Sequence, residues 1–179
     1  IDRFNQISDE TPVLVDLKPV GDGYMEDFHA AGGMGALLWE LRDLLHLDTI
    51  DIEGRTLAER LDAPPDWVDR SVIRARSNPV SAVGGLVALR GSLAPDGALF
   101  KRAAATPALF ETEGRAVVFE NLEDLANRID DPDLDVEVGD ILVLKNAGPR
   151  AAGMPEAGYL PIPKKLAQAG VRDMVRISD

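Results

Sequence analysis

Apolar positions along this chain change texture part-way. In residues 34–46 they recur at helical spacing. Leu37, Leu38, Leu41, Leu44 and Leu45 share one face, which predicts a helix opened by Gly32-Gly33-Met34-Gly35. Arg42 and His46 near its end suit the helix dipole. Thr56-Leu57-Ala58-Glu59 has the form of a capping box and predicts a second, short helix. Residues 13–17 are apolar except for Asp16, as in a buried strand, and a loop rich in Gly and acids follows over 18–29. Residues 63–78, with Pro64-Pro65 and Asn78-Pro79 at either side, read as a boundary. Beyond it the apolar runs shorten to 86–90, 116–119, 141–144 and 174–177, and each reads as a strand. Turn signals such as Pro95-Asp96-Gly97 and Glu113-Gly114 separate them. Asn121 is placed to cap a helix with Leu122, Leu125, Ala126 and Ile129 inward, stopped by Asp131-Pro132. Residues 164–169 predict a further helix, ended by Gly170. Short strands with a few helices suggest a β-rich barrel or sandwich flanked by helices.

Composition narrows the chemistry. Over 179 residues the formal net charge is −12, which argues against nucleic acid and against an anionic membrane surface as partners. No apolar run approaches the length of a membrane span, and nothing at the start resembles a signal peptide, so a cytoplasmic setting is expected. The chain has no cysteine and two histidines, His29 and His46. Disulfides, thiolate metal sites and a cysteine nucleophile are therefore excluded within it, and a metal site would be mostly oxygen-ligated, favouring Mg²⁺, Mn²⁺ or Ca²⁺. The chain starts without Met and stops after a core-strand pattern, so a piece of a longer protein is expected.

The most informative run is Asn146-Ala147-Gly148-Pro149-Arg150-Ala151-Ala152-Gly153-Met154-Pro155-Glu156-Ala157-Gly158. Directly after an apolar strand, its prolines fix φ, its glycines let backbone approach closely, and it presents one carboxylate, Glu156. A solvated surface Glu is the plain alternative. Other features are weaker. Gly32-Gly33-Met34-Gly35 could bind an anion at a helix start or simply allow close packing, and it matches neither the Walker nor the dinucleotide fingerprint. Glu26-x-x-His29 occurs once, whereas a di-iron bundle needs two copies. His46 reads as a dipole partner. Ser71, Ser77, Ser81, Ser92 and Ser178 lack a nucleophile-elbow context. Lys164-Lys165 is a small cationic spot, solvated or facing an acidic substrate.

Six segments in order carry a resemblance: Pro12-Val13-Leu14-Val15-Asp16-Leu17-Lys18-Pro19-Val20-Gly21, then residues 24–33, Gly91-Ser92-Leu93-Ala94-Pro95-Asp96-Gly97-Ala98, Val138-Gly139-Asp140, Gly153-Met154-Pro155-Glu156 and Val175-Arg176-Ile177-Ser178-Asp179. Together they are similar to the dihydroxyacid dehydratase and sugar-acid (aldonate) dehydratase family. The resemblance implies an α/β fold: the tail of an N-terminal α/β domain over 1–62, a linker over 63–79, and a helix-flanked β-barrel of the swivelling type over 80–179, truncated. It implies a hydro-lyase that removes water from a 2,3-dihydroxy acid to give a 2-keto-3-deoxy acid. It also implies a catalytic Mg²⁺ that holds the carboxylate and C2 oxygen, and an iron–sulfur cluster, [2Fe–2S] in the pentonate branch, acting on the departing C3 hydroxyl. Glu156 would be the one metal ligand supplied here. The cluster cysteines and the other ligands would lie upstream of Ile1, and a proton-abstracting serine shortly beyond Asp179. No catalytic residue proper is expected within the chain, which alone should be inactive. Family members form dimers and tetramers, so a homo-oligomer is implied.

The runs Tyr159-Leu160-Pro161-Ile162-Pro163-Lys164-Lys165 and Asp173-Met174-Val175-Arg176-Ile177-Ser178-Asp179 look more like the sugar-acid branch than the branched-chain amino-acid branch. The alternatives are a dihydroxyacid dehydratase of that second branch, and a stand-alone, non-catalytic binding or assembly module.

Overall fold

The computed structural model describes residues 1–18, 20–153 and 160–179. They fall into two compact units, Ile1–Ala104 and Ala105–Asp179. Among the described residues no helix is long and apolar enough to cross a membrane.

The first unit opens with helix α1 (Asp2–Glu10), a polar segment that the apolar pattern does not announce. A side chain docks it: Asn5 Nδ2 donates to Ala88 O and Ala88 N–H donates to Asn5 Oδ1, both at 2.8 Å. Ala88 is the middle of β1 (Val87–Leu89), which pairs antiparallel with β2 (Ala98–Phe100). Residues 13–17 are extended, as expected, and Leu14 is buried. They nevertheless make only isolated bridges, Val13 to Ser81, Val15 to Ile73 and Leu17 to Gly23. Each bridge has a different partner segment, so no continuous ladder forms. Ile73, within the stretch read as a boundary, is fully buried in this unit's core with Phe28, Ala31 and Ala36.

Three further helices follow: α2 (Met25–Ala30), α3 (Gly33–Glu40) and α4 (Leu57–Arg60). Helix α2 lies where a loop was expected. The acids that suggested solvent cap it instead, with Asp27 Oδ2 accepting from Tyr24 N–H at 2.7 Å. Helix α3 stops at Glu40 and passes into a 3₁₀ turn at Arg42–Leu44, shorter than the leucine spacing implies. At its start Gly32 has φ 118°, and a Cβ there would stand 2.9 Å from Ala36 Cβ and 3.2 Å from Trp67 O. This glycine serves conformation and close packing. The capping box at α4 forms as read: Glu59 N–H donates to Thr56 Oγ1 at 3.2 Å, and Thr56 N–H to Glu59 Oε2 at 2.7 Å.

The second unit holds an open three-stranded parallel sheet in the order β3 (Ala116–Phe119), β4 (Ile141–Leu144), β5 (Arg176–Ser178). Val117 faces Leu142, and Leu142 faces Arg176. Helix α5 (Leu122–Arg128) links β3 to β4, and α6 (Pro149–Ala152) and α7 (Lys164–Gln168) follow β4. Parallel neighbours require such crossovers, since a tight turn joins only antiparallel strands. Phe119, Leu142 and Leu144 form the heart of the core, with Leu125 and Ile129 of the α5 segment laid over them. The fold is thus mixed α/β, with two small sheets among the described residues. Where a barrel was expected, no closed barrel occurs among the described residues.

Asn121 caps α5 as expected, its Oδ1 accepting from Asp124 N–H at 2.9 Å. Asn121→Ala should cost about 1 kcal/mol, the usual worth of such a cap. Urea unfolding of the chain followed by far-UV circular dichroism would check this, and Asn121→Asp should recover most of the loss.

Candidate functional site

In open α/β sheets, ligand-binding groups gather beyond the carboxyl ends of the strands. Here all three carboxyl ends of the parallel sheet are joined by side chains. After β3 comes Glu120, and after β4 come Lys145 and Asn146. Lys145 Nζ pairs with Glu120 Oε2, and Asn146 Nδ2 donates to Glu120 O at 2.9 Å. Asn146 adopts φ 55°, the left-handed region that Asn tolerates better than most residues. The next amide, Ala147 N–H, donates to Asp179 Oδ1 at 2.9 Å, just past the end of β5. Ala147 itself is buried. Gly148 leaves room for that carboxylate: a Cβ there would lie 3.2 Å from Asp179 Oδ2 and 3.1 Å from its backbone carbon.

From this edge the chain enters α6 with Pro149 at its first position, where the missing N–H costs nothing. Residues 154–159, and Glu156 with them, lie outside the described residues. The chain is buried again at Leu160, whose carbonyl accepts from Arg176 Nη1 at 3.3 Å. Both flanks of the Glu156 segment are therefore tied to β5 or its immediate end, one through Asp179 and one through Arg176.

The opposite edge of the sheet is an ionic strap. Arg115, just before β3, donates to Asp140, just before β4, at 2.8 Å and 3.3 Å, and also pairs with Asp135. Asp140 further accepts from Glu137 N–H at 2.8 Å and is nearly buried. The Arg115 guanidinium, then the Glu137 amide, hold the Asp140 carboxyl below the usual carboxylate range, and Arg115 is in turn held more firmly protonated. This end is structural: the Asp140 and Asp135 carboxylates are met by donors within the protein.

The other sequence candidates do not assemble into a site. Glu26 and His29 are exposed on α2, and His46 is exposed beyond the 3₁₀ turn. Ser71 Oγ is spent on Asp69 Oδ1 at 2.6 Å. Lys165 Nζ caps the carbonyls of Pro132 and Leu134, and Lys164 N–H donates to Asp130 Oδ1 at 3.0 Å, so this pair fastens α7 to the preceding loop. A hollow of about 440 Å³ in the first unit is lined by Gly35, Leu38, Ile50, Leu57 and Leu61, with the Asp51–Arg60 ion pair beside them. Its walls offer no convergent set of catalytic groups. Among the described residues no three His, Asp or Glu side chains gather as a metal ion would require. The chain has no cysteine to offer an iron–sulfur cluster.

Comparison with known proteins decides the family. Residues 71–179 match the C-terminal part of the family described as dihydroxy-acid/6-phosphogluconate dehydratase, and residues 1–60 match its N-terminal part. The chain belongs to this family. It is 44% identical over 183 positions to a 6-deoxy-6-sulfo-D-gluconate dehydratase of Pseudomonas putida, with all of this chain and 31% of that protein covered. It is 43% identical to an L-arabonate dehydratase of Azospirillum brasilense, again over all of this chain and 31% of the relative. A dihydroxy-acid dehydratase of Caldicellulosiruptor saccharolyticus is 39% identical, with 32% of its length covered. The chain thus spans about a third of the length of these curated relatives.

Of this edge, sequence reasoning named Asn146 and Asp179 only within longer runs and gave neither a role, and it did not name Glu120 or Lys145. The signal was present in part: an Asp just past β5 and an Asn two residues past β4, both at the end where α/β sheets place their sites.

Proposed function

We propose that this chain is part of a hydro-lyase that removes water from a 2,3-dihydroxy acid, a sugar acid such as an aldonate, to give a 2-keto-3-deoxy acid. The observation that carries the reading is the end-to-end match to relatives named as dehydratases of sugar acids and dihydroxy acids. The sugar-acid branch is favoured because two relatives so named are 44% and 43% identical, against 39% for a dihydroxy-acid dehydratase, a figure that an L-arabinonate dehydratase of Rhizobium leguminosarum shares.

On this reading the carboxyl edge of the parallel sheet faces the reacting acid, and Glu156 is the chain's contribution to a Mg²⁺ site. Every other ligand of that ion, and the thiolates of an iron–sulfur cluster, would come from outside these residues. The chain's own groups orient rather than react. On either side of that segment, Ala147 is held by Asp179 and Leu160 by Arg176. Residues 1–62 would close an N-terminal α/β domain, 63–79 would connect, and 80–179 would belong to a helix-flanked barrel. A homo-oligomer, dimer or tetramer, a cytoplasmic setting and a small-molecule partner rather than nucleic acid or membrane complete the proposal.

The test uses a protein of the relatives' full length that contains this chain. Glu156→Gln keeps size and removes charge. It should lower kcat/KM for a C5 or C6 aldonate roughly tenfold or more, the scale seen when a metal site loses a supporting group, with the unfolding midpoint unchanged. Unaltered turnover would remove Glu156 from the site. Faster turnover of a branched 2,3-dihydroxy acid than of any aldonate would move the substrate to the other branch.

A further inference from the structure

We propose that the apolar surface made by α1 and the β1–β2 hairpin is an internal interface, covered by polypeptide that lies outside these 179 residues in a protein of the relatives' length. Neither Glu156 nor a substrate enters this inference, so it stands apart from the catalytic reading.

It begins from the way α1 is seated. A short amphipathic helix ordinarily turns its apolar residues inward. Here polar residues do the docking. Asn5 exchanges two hydrogen bonds with the Ala88 backbone at 2.8 Å, Ser8 Oγ donates to Leu86 O, and Asp9 pairs with Arg102 at 3.0 Å. Phe4 and Ile7 are left 42% and 51% exposed. Ile1 carries the apolar stripe to the hairpin, since a Cβ on Gly97 would stand 2.8 Å from Ile1 Cδ1. The hairpin has the same character. Leu89 pairs with Ala98 and Leu99 with Ala88, so the two leucines belong to opposite faces of the ribbon, and both are exposed. Strands apolar on both faces are made to be enclosed, and a two-stranded ribbon by itself is marginal in water. The two units differ in the same sense. Among the described residues the first unit exposes sixteen large apolar side chains, whereas the second exposes two, Phe110 and Val138. Open apolar area on that scale marks a surface that something covers.

Area and charge select the occupant. Five side chains about half open, those of Ile1, Phe4, Ile7, Leu89 and Leu99, offer roughly 400 Å² over two faces, half of the about 800 Å² per partner in a stable complex. Two copies of this chain, each with a formal net charge of −12, would also repel. An attached segment meets neither obstacle, because it docks without the loss of free translation and rotation that association costs. The relatives have the length for it, as this chain covers 31% of two of them.

The test uses a protein of that full length. With p-benzoyl-phenylalanine in place of Phe4, irradiation should join position 4 to a peptide outside these 179 residues, with no doubling of mass on a denaturing gel. Ile7→Ala should speed amide exchange over residues 2–10 about thirtyfold, the lower end of what truncating a buried Ile costs. Arg3→Ala, at an exposed polar position of the same helix, should change it less than about twofold. A cross-link confined to this chain's own residues, or none at all, overturns the proposal. So does a doubled mass, which would make a second copy the occupant. Exchange that changes less than about threefold in Ile7→Ala means a solvated helix and overturns it as well. The cross-link requires no truncation, so it decides the matter if Ile7→Ala fails to fold. The activity of Glu156→Gln bears on neither readout, so the two readings fail separately.

Discussion

Phe119→Ala is expected to destabilise the C-terminal unit by about 4 kcal/mol, within the range of 3–5 kcal/mol usual for truncating a buried Phe. Phe119 ends β3 and has no exposed surface. It belongs to the cluster that includes Leu142 and Leu144 of β4 and Leu125 and Ile129 of the α5 segment. Its ring also lies under the Arg128 guanidinium, 5.1 Å from the centroid. Truncation would open a cavity that the sheet cannot close, because β3 is fixed in register to β4 by four residue pairs, Ala116 to Ile141 through Phe119 to Leu144. The control is Val118→Ala. Val118 points to the other face of the same strand and is only partly buried, so its loss should stay near 1 kcal/mol or below. Hydrogen-exchange mass spectrometry of peptides from β3 and β4 separates this unit from the other. Tryptophan fluorescence would not, since Trp39 and Trp67 both lie in the first unit. Protection of β4 unchanged in Phe119→Ala would mean that the core is centred elsewhere.

That sheet was legible in the sequence residue by residue where burial and pairing coincide. Residues 116–119 and 141–144 are wholly apolar runs bounded by charge or by turn residues, and β3 and β4 occupy those positions. At the third strand they part. Met174 is buried and suggested a strand over 174–177, but the ladder begins only where Arg176 meets Leu142, so β5 runs over Arg176–Ser178. Apolarity marks what is buried, and pairing depends on where a neighbouring strand lies. Strand direction was not legible at all, which is why a barrel or sandwich of short strands was expected in place of the open parallel sheet. Helix α1 shows the limit in the other unit. Its apolar residues Phe4 and Ile7 are exposed, and it is seated by Asn5 on a strand 83 positions away. The same limit applies to the site. Pro and Gly marked the Glu156 loop locally, whereas the bond from Ala147 to Asp179 spans 32 positions and leaves no periodic or compositional trace.

Asp140→Ala should cost the same unit about 2 kcal/mol at pH 7, since hydrogen bonds to a charged group contribute ~1.5–3 kcal/mol and the half-exposed Arg115 can turn to water once released. The Asp140 carboxylate does two things, while Asp135 holds only Arg115. It accepts from Arg115 through both oxygens, at 3.3 Å and 2.8 Å, and it accepts from Glu137 N–H at 2.8 Å. These bonds strap the amino ends of β3 and β4, at the edge remote from the candidate site, so stability should fall before chemistry does. The pH dependence has a definite sign. The Arg115 side chain, then the Glu137 amide, lower the Asp140 pKa in the folded state. A lowered carboxylate contributes stability that is fully present above its unfolded pKa, about 3.9, and is lost as pH falls through the folded value. Asp140→Asn keeps the shape without the charge. Its deficit relative to the native chain should therefore be constant from pH 7 down to about 5 and shrink steadily below about pH 4. Urea midpoints at closely spaced pH values would trace this. A deficit that is the same at pH 3 as at pH 7 would assign the strap to shape and hydrogen-bond count, with the ion pair contributing nothing of its own.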